Sequence, residues 1–196
     1  MYKSKEIRWF KDSSDKAILN WFAGHEQTFK NTSLRTDYYL PLNKEDVTVK
    51  LREGNIEIKQ RIGEPVKGSV GPNAIGIFEN WIKWSFNANK TDKLSQEIIS
   101  HNLYNWIETV KTRIGVKITE DKSGNVQIVP IKAFVEFGCQ IEYTMLMLSG
   151  KTIYTFGLEW FGEKEIQLPE KFMQEILNHT QLNLQDSMGY GVFLIN

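Results

Sequence analysis

The sequence predicts an α+β protein: an antiparallel sheet of about eight strands with one apolar and one charged face, and about three amphipathic helices against the apolar face. Two observations lead there. The first is the segment 47–61, where VTVKLRE and NIEIKQR flank a turn at Gly54-Asn55 and charges fall at every second position. Alternation at period two puts Lys50 and Arg52 on one face of the first strand, and Glu57, Lys59 and Arg61 on one face of the second. Val47, Val49, Leu51, Ile56 and Ile58 form the opposite, apolar face. The second observation is that this alternation recurs. Lys111, Arg113 and Lys117 share a parity, as do Glu136, Gln140, Glu142 and Thr144 in FVEFGCQIEYT, Glu79 and Lys83 in IGIFENWIKWSF, and Glu159 stands across from Leu158 and Trp160.

In chain order, EIRWF is a first strand, and Ser13/Ser14 are good N-cap residues for a helix with Ile18, Trp21 and Phe22 on one side. Strands follow around 33–40, 46–53 and 55–62. GEPVKGSVGP, rich in Gly and Pro, reads as a connection to a strand around 74–86. The spacing of Ile99, Leu103, Trp106, Ile107 and Val110 predicts a second helix beginning near Ser95. Further strands are expected around 111–120, 125–132, 134–148 and 151–161, with turns at Ser123-Gly124-Asn125 and Ser149-Gly150. A third helix opens with Pro169 in its first turn and carries Phe172, Met173, Ile176 and Leu177.

An antiparallel sheet of this many strands tends to curl and close, leaving an inside and an outside that each match one strand parity. The helices need an apolar surface, so an inside-out barrel would turn the charged face into the lumen. The rival is an ordinary α+β sheet whose charged face meets water. Periodicity alone supports both.

Composition narrows the function. The chain of 196 residues reads as one domain, 1–196, with a single cysteine, Cys139, in an apolar row. Its charged start, MYKSKEIRWF, lacks an apolar signal core and no run of about 18 apolar residues follows, so a cytoplasmic protein without a membrane partner is expected. With 24 basic and 24 acidic residues the net charge is zero, which argues against nucleic acid as partner. Any polyanion site must then be local.

On the charged parity stand nine cations, Arg35, Lys50, Arg52, Lys59, Arg61, Lys83, Lys111, Arg113 and Lys117, against five anions, Asp37, Glu57, Glu79, Glu142 and Glu159. Converging Arg forks and Lys point charges suit phosphate oxygens, and carboxylates among them suit a hard divalent cation. The same mixture also describes a self-neutralised ion-pair network.

The ordered set EIRWF, LRTDYYL, VTVKLREGNIEIKQR and FGCQIEYTMLMLSGKTIYTFGLEWFG resembles the CYTH superfamily, the triphosphate tunnel metalloenzymes. The resemblance covers about residues 5–161 and is most specific at TDYYL, at the KLREG-x-IEIKQR hairpin and at IEYT and FGLEW. It implies an antiparallel eight-stranded closed β-barrel, a tunnel with a charged lumen, that binds a small anionic phosphate-chain ligand. By it, Lys50, Arg52, Lys59 and Arg61 would contact phosphate, with Arg35, Lys83 and Arg113 as further phosphate-binding residues. Mg²⁺ or Mn²⁺ would be the cofactor, held by Glu142 and Glu159 with Glu57 and Glu6 as further metal ligands. The chain departs from the family at the first strand, where the signature is Glu-x-Glu-x-Lys and then an aromatic residue. Aligning Phe10 with the aromatic puts Lys5, Ile7 and Trp9 at the signature positions; aligning Glu6 with the first glutamate puts Arg8 at the second and Phe10 at the lysine. Either way a metal ligand is missing, and metal-dependent hydrolysis of the family type is expected to be impaired or altered.

Other chemistry finds little support. His25, His101 and His179 lack metal spacing, and there is no P-loop, G-x-S-x-G or G-x-G-x-x-G. Three classes remain: a phosphate-chain-binding protein with disabled catalysis; a metal-dependent triphosphatase, or less favoured a cyclase, using Glu6, Glu57, Glu142 and Glu159; and a barrel for an unrelated small molecule, since Tyr39, Trp81 and Phe161 share the lumen parity.

Overall fold

The hairpin that announces the fold closes through a two-residue turn at Glu53 and Gly54, both with positive φ (48° and 79°), and pairs Arg52 with Asn55. Such left-handed turns match the twist of the strands they join. The computed structural model describes residues 2–101 and 105–195. Its strands are β1 (Tyr2–Lys11), β2 (Leu34–Tyr39), β3 (Val47–Arg52), β4 (Asn55–Ser69), β5 (Ile75–Asn87), β6 (Ile107–Glu120), β7 (Val126–Pro130), β8 (Gly138–Leu148) and β9 (Lys151–Phe161). Its helices are α1 (Lys16–Gly24), α2 (Lys93–His101), α3 (Glu170–Leu177) and α4 (Tyr190–Ile195).

The strands run in the order β2-β3-β4-β5-β1-β9-β8-β6, and β2 pairs with β6 to close an antiparallel eight-stranded barrel. β7 attaches to the far part of β6, outside the ring. Closure removes every free edge from the ring.

The apolar parity faces outward. Ile7, Trp9, Ile114, Ile141, Phe156 and Leu158 are buried from outside under Ile18 and Phe22 of α1 and Met173, Ile176 and Leu177 of α3. A second outer cluster joins Leu51 of β3 to Ile98 of α2 and to Trp106. A third lies at one end of the barrel, where Phe10, Leu146 and Ile153 meet Met188, Tyr190 and Phe193 of the C-terminal segment. Each cluster removes apolar surface from water at about 25 cal/mol per Å², so the helices and not the lumen hold the hydrophobic core. Among the described residues no helix is long and apolar enough to cross a membrane.

Several elements differ from expectation for identifiable reasons. The Gly/Pro-rich stretch is not simply a connection: β4 continues to Ser69, paired with β5 from Val66↔Phe78 to Ser69↔Ile75 after an irregularity between Ile62 and Val66. Pro65 falls within that interruption, where its missing N–H breaks no ladder bond. The α1 N-cap is Asp15, whose carboxylate accepts from the Ala17 and Ile18 amides, rather than Ser13 or Ser14. In the stripe expected for the second helix, Ile107 and Val110 belong to β6, and Leu103 lies outside the described residues. α4 had no counterpart in the sequence reading.

Candidate functional site

The barrel encloses a cavity of about 380 Å³. Arg35 of β2, Lys50 and Arg52 of β3, Lys59 of β4, Lys83 of β5 and Arg113 of β6 line it, as do Glu6, Glu57, Glu142 and Glu159. Arg61, also expected there, is not in the lining; it is bound to Glu79, Nη1 to Oε1 at 2.9 Å. In all, nine Lys and Arg (adding Arg8, Lys111 and Lys117) face five Glu (adding Glu79). Tyr39, Trp81 and Phe161 contribute aromatic surface to the same cavity.

The charges are organised around buried carboxylates. Asp37 has no accessible surface; Arg52 donates to both its oxygens at 2.8 Å, with Lys111 Nζ at 3.1 Å and Arg35 Nε at 3.2 Å. Burial alone would raise the Asp37 carboxyl, but Arg52 and Lys111 outweigh it and hold it far below the usual carboxylate range. Glu57 lies 2.9 Å from Lys50 and 3.4 Å from Arg52; against the cost of burial they lower it to about 2. Burial, only partly offset by Asp37 and Glu57, pushes the Lys50 ammonium well below its ordinary value and Lys111 down to about 7, with Asp37 again opposing.

Across the barrel Glu142 Oε1 accepts from Arg8 Nη2 at 2.7 Å, and its Oε2 accepts from Arg113 Nη1 and Gln140 Nε2, each at 3.0 Å. Glu6 is bound by Lys59 and by Ser4 Oγ at 2.8 Å. Glu159 stands opposite Glu6 in the β1–β9 register. It has no ion-pair partner among the described residues, and burial followed by the Glu6 charge pushes its carboxyl up. Lys83 and Lys117 likewise face no carboxylate within bridging distance; Lys83 lies 4.6 Å from the centre of the Tyr2 ring and Lys117 donates to the Ala133 carbonyl at 2.7 Å.

Two features of the lumen escaped the sequence reading. Arg8, read there only as a lost ligand, lines the cavity together with Glu6, so the inward register of β1 is Glu6, Arg8, Phe10. The parity shared with Glu6 was the available signal. The other feature is the C-terminal segment: Gly189, Tyr190 and Gly191 line the cavity, and Tyr190 stacks on Tyr39 with ring centres 5.9 Å apart. α4 thus lies across one end of the tunnel, with Phe193 stacked on Phe10 at 4.0 Å.

The divalent ion implied by the resemblance needs several oxygens converging without competing cations. Here both oxygens of Glu142 are taken by guanidinium and amide donors, and Glu6, Glu57 and Glu79 are each engaged by Lys or Arg. Among the described residues no three His, Cys, Asp or Glu side chains cluster as a metal site would require. Among the described lumen carboxylates Glu159 alone stands free of a bridging cation, and one free carboxylate does not supply the converging oxygens that Mg²⁺ or Mn²⁺ needs. The chain matches no protein-family model and no curated protein sequence.

Proposed function

We propose that this barrel binds a triphosphate or polyphosphate in its lumen, as a CYTH-like protein in which metal-dependent hydrolysis of the family type is impaired. The observation that carries this reading is the lumen itself: a space of about 380 Å³ lined by nine cations and five glutamates, or ten cations against six carboxylates when Arg61 and the buried Asp37 are included, in a chain of zero net charge. A solvated basic face would not need to be enclosed, and a purely structural ion-pair network would not leave four cations in excess. Arg35 Nε sits 3.2 Å from Asp37 without a well-aligned hydrogen bond, so its remaining donors can turn to an incoming oxyanion at little cost. Arg35, Arg52 and Arg113 offer forked donors to phosphate oxygens, and Lys50, Lys59 and Lys83 offer point charges. Binding exchanges the internal carboxylate partners of these cations, in part, for phosphate.

The test is a thermal melt of metal-stripped protein with tripolyphosphate, with and without Mg²⁺, while released phosphate is assayed in the same tubes. Ligand at about a hundred times its dissociation constant should stabilise the fold by roughly 2.7 kcal/mol, or some 5–10 °C. A shift without release supports a binding protein. Mg²⁺-dependent release would instead make it a working triphosphatase, and no shift in either condition would remove the phosphate reading.

A further inference from the structure

We propose that Arg8 is a fixed internal cation of the ligand site, so that the lumen takes its phosphate chain without metal and Arg8 itself contacts the bound phosphate. This rests on the reading of the lumen as a phosphate site and adds to it a residue and a condition.

Arg8 is held more tightly than a lysine or arginine on a barrel wall needs to be. Its Nη1 donates to Thr155 Oγ1 at 3.0 Å and its Nη2 to Glu142 Oε1 at 2.7 Å. Directly opposite in the β1–β9 register stands Gly157, and a Cβ there would lie 2.8 Å from Cζ, Nη1 and Nη2 of Arg8. The guanidinium therefore rests on bare backbone, and a larger residue at 157 would have to push it aside. The Tyr190 ring lies 4.9 Å from Cζ, at a distance where a ring attracts a cation. Backbone, hydroxyl, carboxylate and ring together fix the rotamer before any ligand arrives, so little side-chain entropy remains to be lost on binding.

The group is also charged and still has donors to give. Burial works against its charge, but Glu142, Tyr190 and Glu6 together outweigh burial and raise the guanidinium above its ordinary value. Its bonds to Thr155 and Glu142 use two of five N–H groups, and its side chain lines the cavity. Arg113 shares Glu142 with it, and Arg35, paired with Asp37, lines the same lumen. Two guanidiniums on one carboxylate, with a third lining the same lumen, are a poor setting for a divalent cation, by charge and by the loss of free oxygens, and a good one for a phosphate group. The mismatch between this donor set and a metal thus has a positive content: the positive charge that a metal would contribute is supplied covalently by β1.

The experiment is calorimetric titration of tripolyphosphate into the full chain, in EDTA and in excess Mg²⁺, repeated with Arg8→Gln, Arg8→Lys and Gly157→Ala, each first checked by thermal melt. Binding in EDTA at least as tight as in Mg²⁺ is expected. Arg8→Gln should weaken it roughly ten- to a hundredfold, the worth of one or two charged hydrogen bonds, and Arg8→Lys should recover only part of that. Gly157→Ala, which pushes the guanidinium off its seat while keeping the charge, should weaken binding in the same direction. Two measurements need no variant: the EDTA titration itself, and a Mn²⁺ titration of the wild type followed by electron paramagnetic resonance without phosphate, in which no stoichiometric site should appear. Binding that requires Mg²⁺, or a stoichiometric Mn²⁺ site, would overturn the role of Arg8 while leaving the phosphate lumen standing. Tight binding in EDTA that folded Arg8→Gln does not weaken would do the same. Absence of binding in both buffers would remove the phosphate reading and this inference with it.

Discussion

Asp37 is where the balance between folding and ligand binding can be measured most directly. Replacing it with Asn keeps its shape and removes its charge, leaving Arg52, Lys111 and Arg35 around a neutral amide that has no accessible surface. Removing one partner of a buried ion pair costs about 3–5 kcal/mol, because the remaining charges stay desolvated. At roughly 2–4 °C per kcal/mol for a chain of this size, the melting temperature should fall by about 6–20 °C. The lower part of that range applies if Lys111 releases its proton, since without Asp37 nothing opposes its depression toward and below about 7. The assay is a calorimetric melt of Asp37→Asn and wild type at neutral pH, each with and without tripolyphosphate. A phosphate group placed among Arg52, Arg35 and Lys111 would resupply the missing negative charge, so tripolyphosphate should raise the melting temperature of the variant by more than it raises that of the wild type. If Asp37→Asn melts within about 2 °C of the wild type, the carboxylate is not the centre of the charge network. Equal shifts on adding tripolyphosphate would mean that the ligand does not reach this cluster.

Lys111 should give the protein a pH dependence of definite sign. Its folded value of about 7 lies below the 10.5 of a free lysine, so below pH 7 both states hold the proton and the burial penalty is fully present; from about 7 to 10.5 only the unfolded chain keeps it, and stability rises with pH. Urea unfolding at several pH values should show that rise in the wild type and a smaller one in Lys111→Met, where the depressed Lys50 still contributes with the same sign. The inside-out arrangement predicts opposite costs on the two parities: Ile141→Ala, on the outer face with no accessible surface, should lose about 2–5 kcal/mol in urea titration, whereas Lys83→Met in the lumen, which breaks no ion pair, should change stability by less than about 0.5 kcal/mol while weakening tripolyphosphate binding. The reverse ranking would put the core inside the barrel. Stopped-flow association followed through Trp81, which lines the cavity, should show an on-rate for tripolyphosphate that is flat or rises with salt; a steep fall would mark a basic exterior instead.

The alternation of Lys50 with Arg52 and of Glu57, Lys59 and Arg61 was legible because a strand's two faces differ at single-residue resolution, and it placed four of those five side chains in the cavity lining. What alternation leaves open is whether the sheet closes: that depends on the β2–β6 pairing, between segments about seventy residues apart with no local mark of partnership. The same limit hid Arg8. Its seat is made by Gly157 and Thr155 on β9 and Glu142 on β8, and a glycine in FGLEW carries no sign that a guanidinium lies on it. Over 63–69 the Gly and Pro signals masked a strand, because an interruption of the ladder absorbs Pro65 and pairing then resumes. At Ile107 and Val110 an apolar helical period ran on by coincidence into the first residues of β6. In α4, YGVFLI is too short for a period to be seen, and its role comes from the aromatic contacts of Tyr190 and Phe193 with Tyr39 and Phe10.

The partition of charge between the two sides of the wall explains how a neutral protein can hold a basic site. Of the 24 Lys and Arg, ten turn inward when Arg61 is included with the cavity lining; of the 24 Asp and Glu, six do so when Asp37 is included, leaving eighteen acids and fourteen bases outside. The exterior is therefore acidic by the same four charges by which the lumen is basic. An anion gains nothing from this field until it enters the barrel, where low dielectric and the lack of screening ions strengthen each contact. On the proposed reading, such a lumen would discriminate against polymeric polyanions that must dock on a surface and favour a chain thin enough to pass inside. The internal carboxylates serve the empty state of the same site. Asp37, Glu57 and Glu142 hold Arg52, Lys50, Arg8 and Arg113 in place and limit their mutual repulsion, so the barrel can fold without its ligand. On the proposed reading they would also set the cost of binding, because a phosphate oxygen reaching these paired cations would compete with a carboxylate already seated. Arg8, Arg35 and Lys83 are where that competition is weakest: the first retains free donors, the second meets Asp37 through Nε alone, and the third faces no carboxylate within bridging distance among the described residues. A phosphate chain is expected to make its first contacts with these three and to displace the paired cations only afterwards.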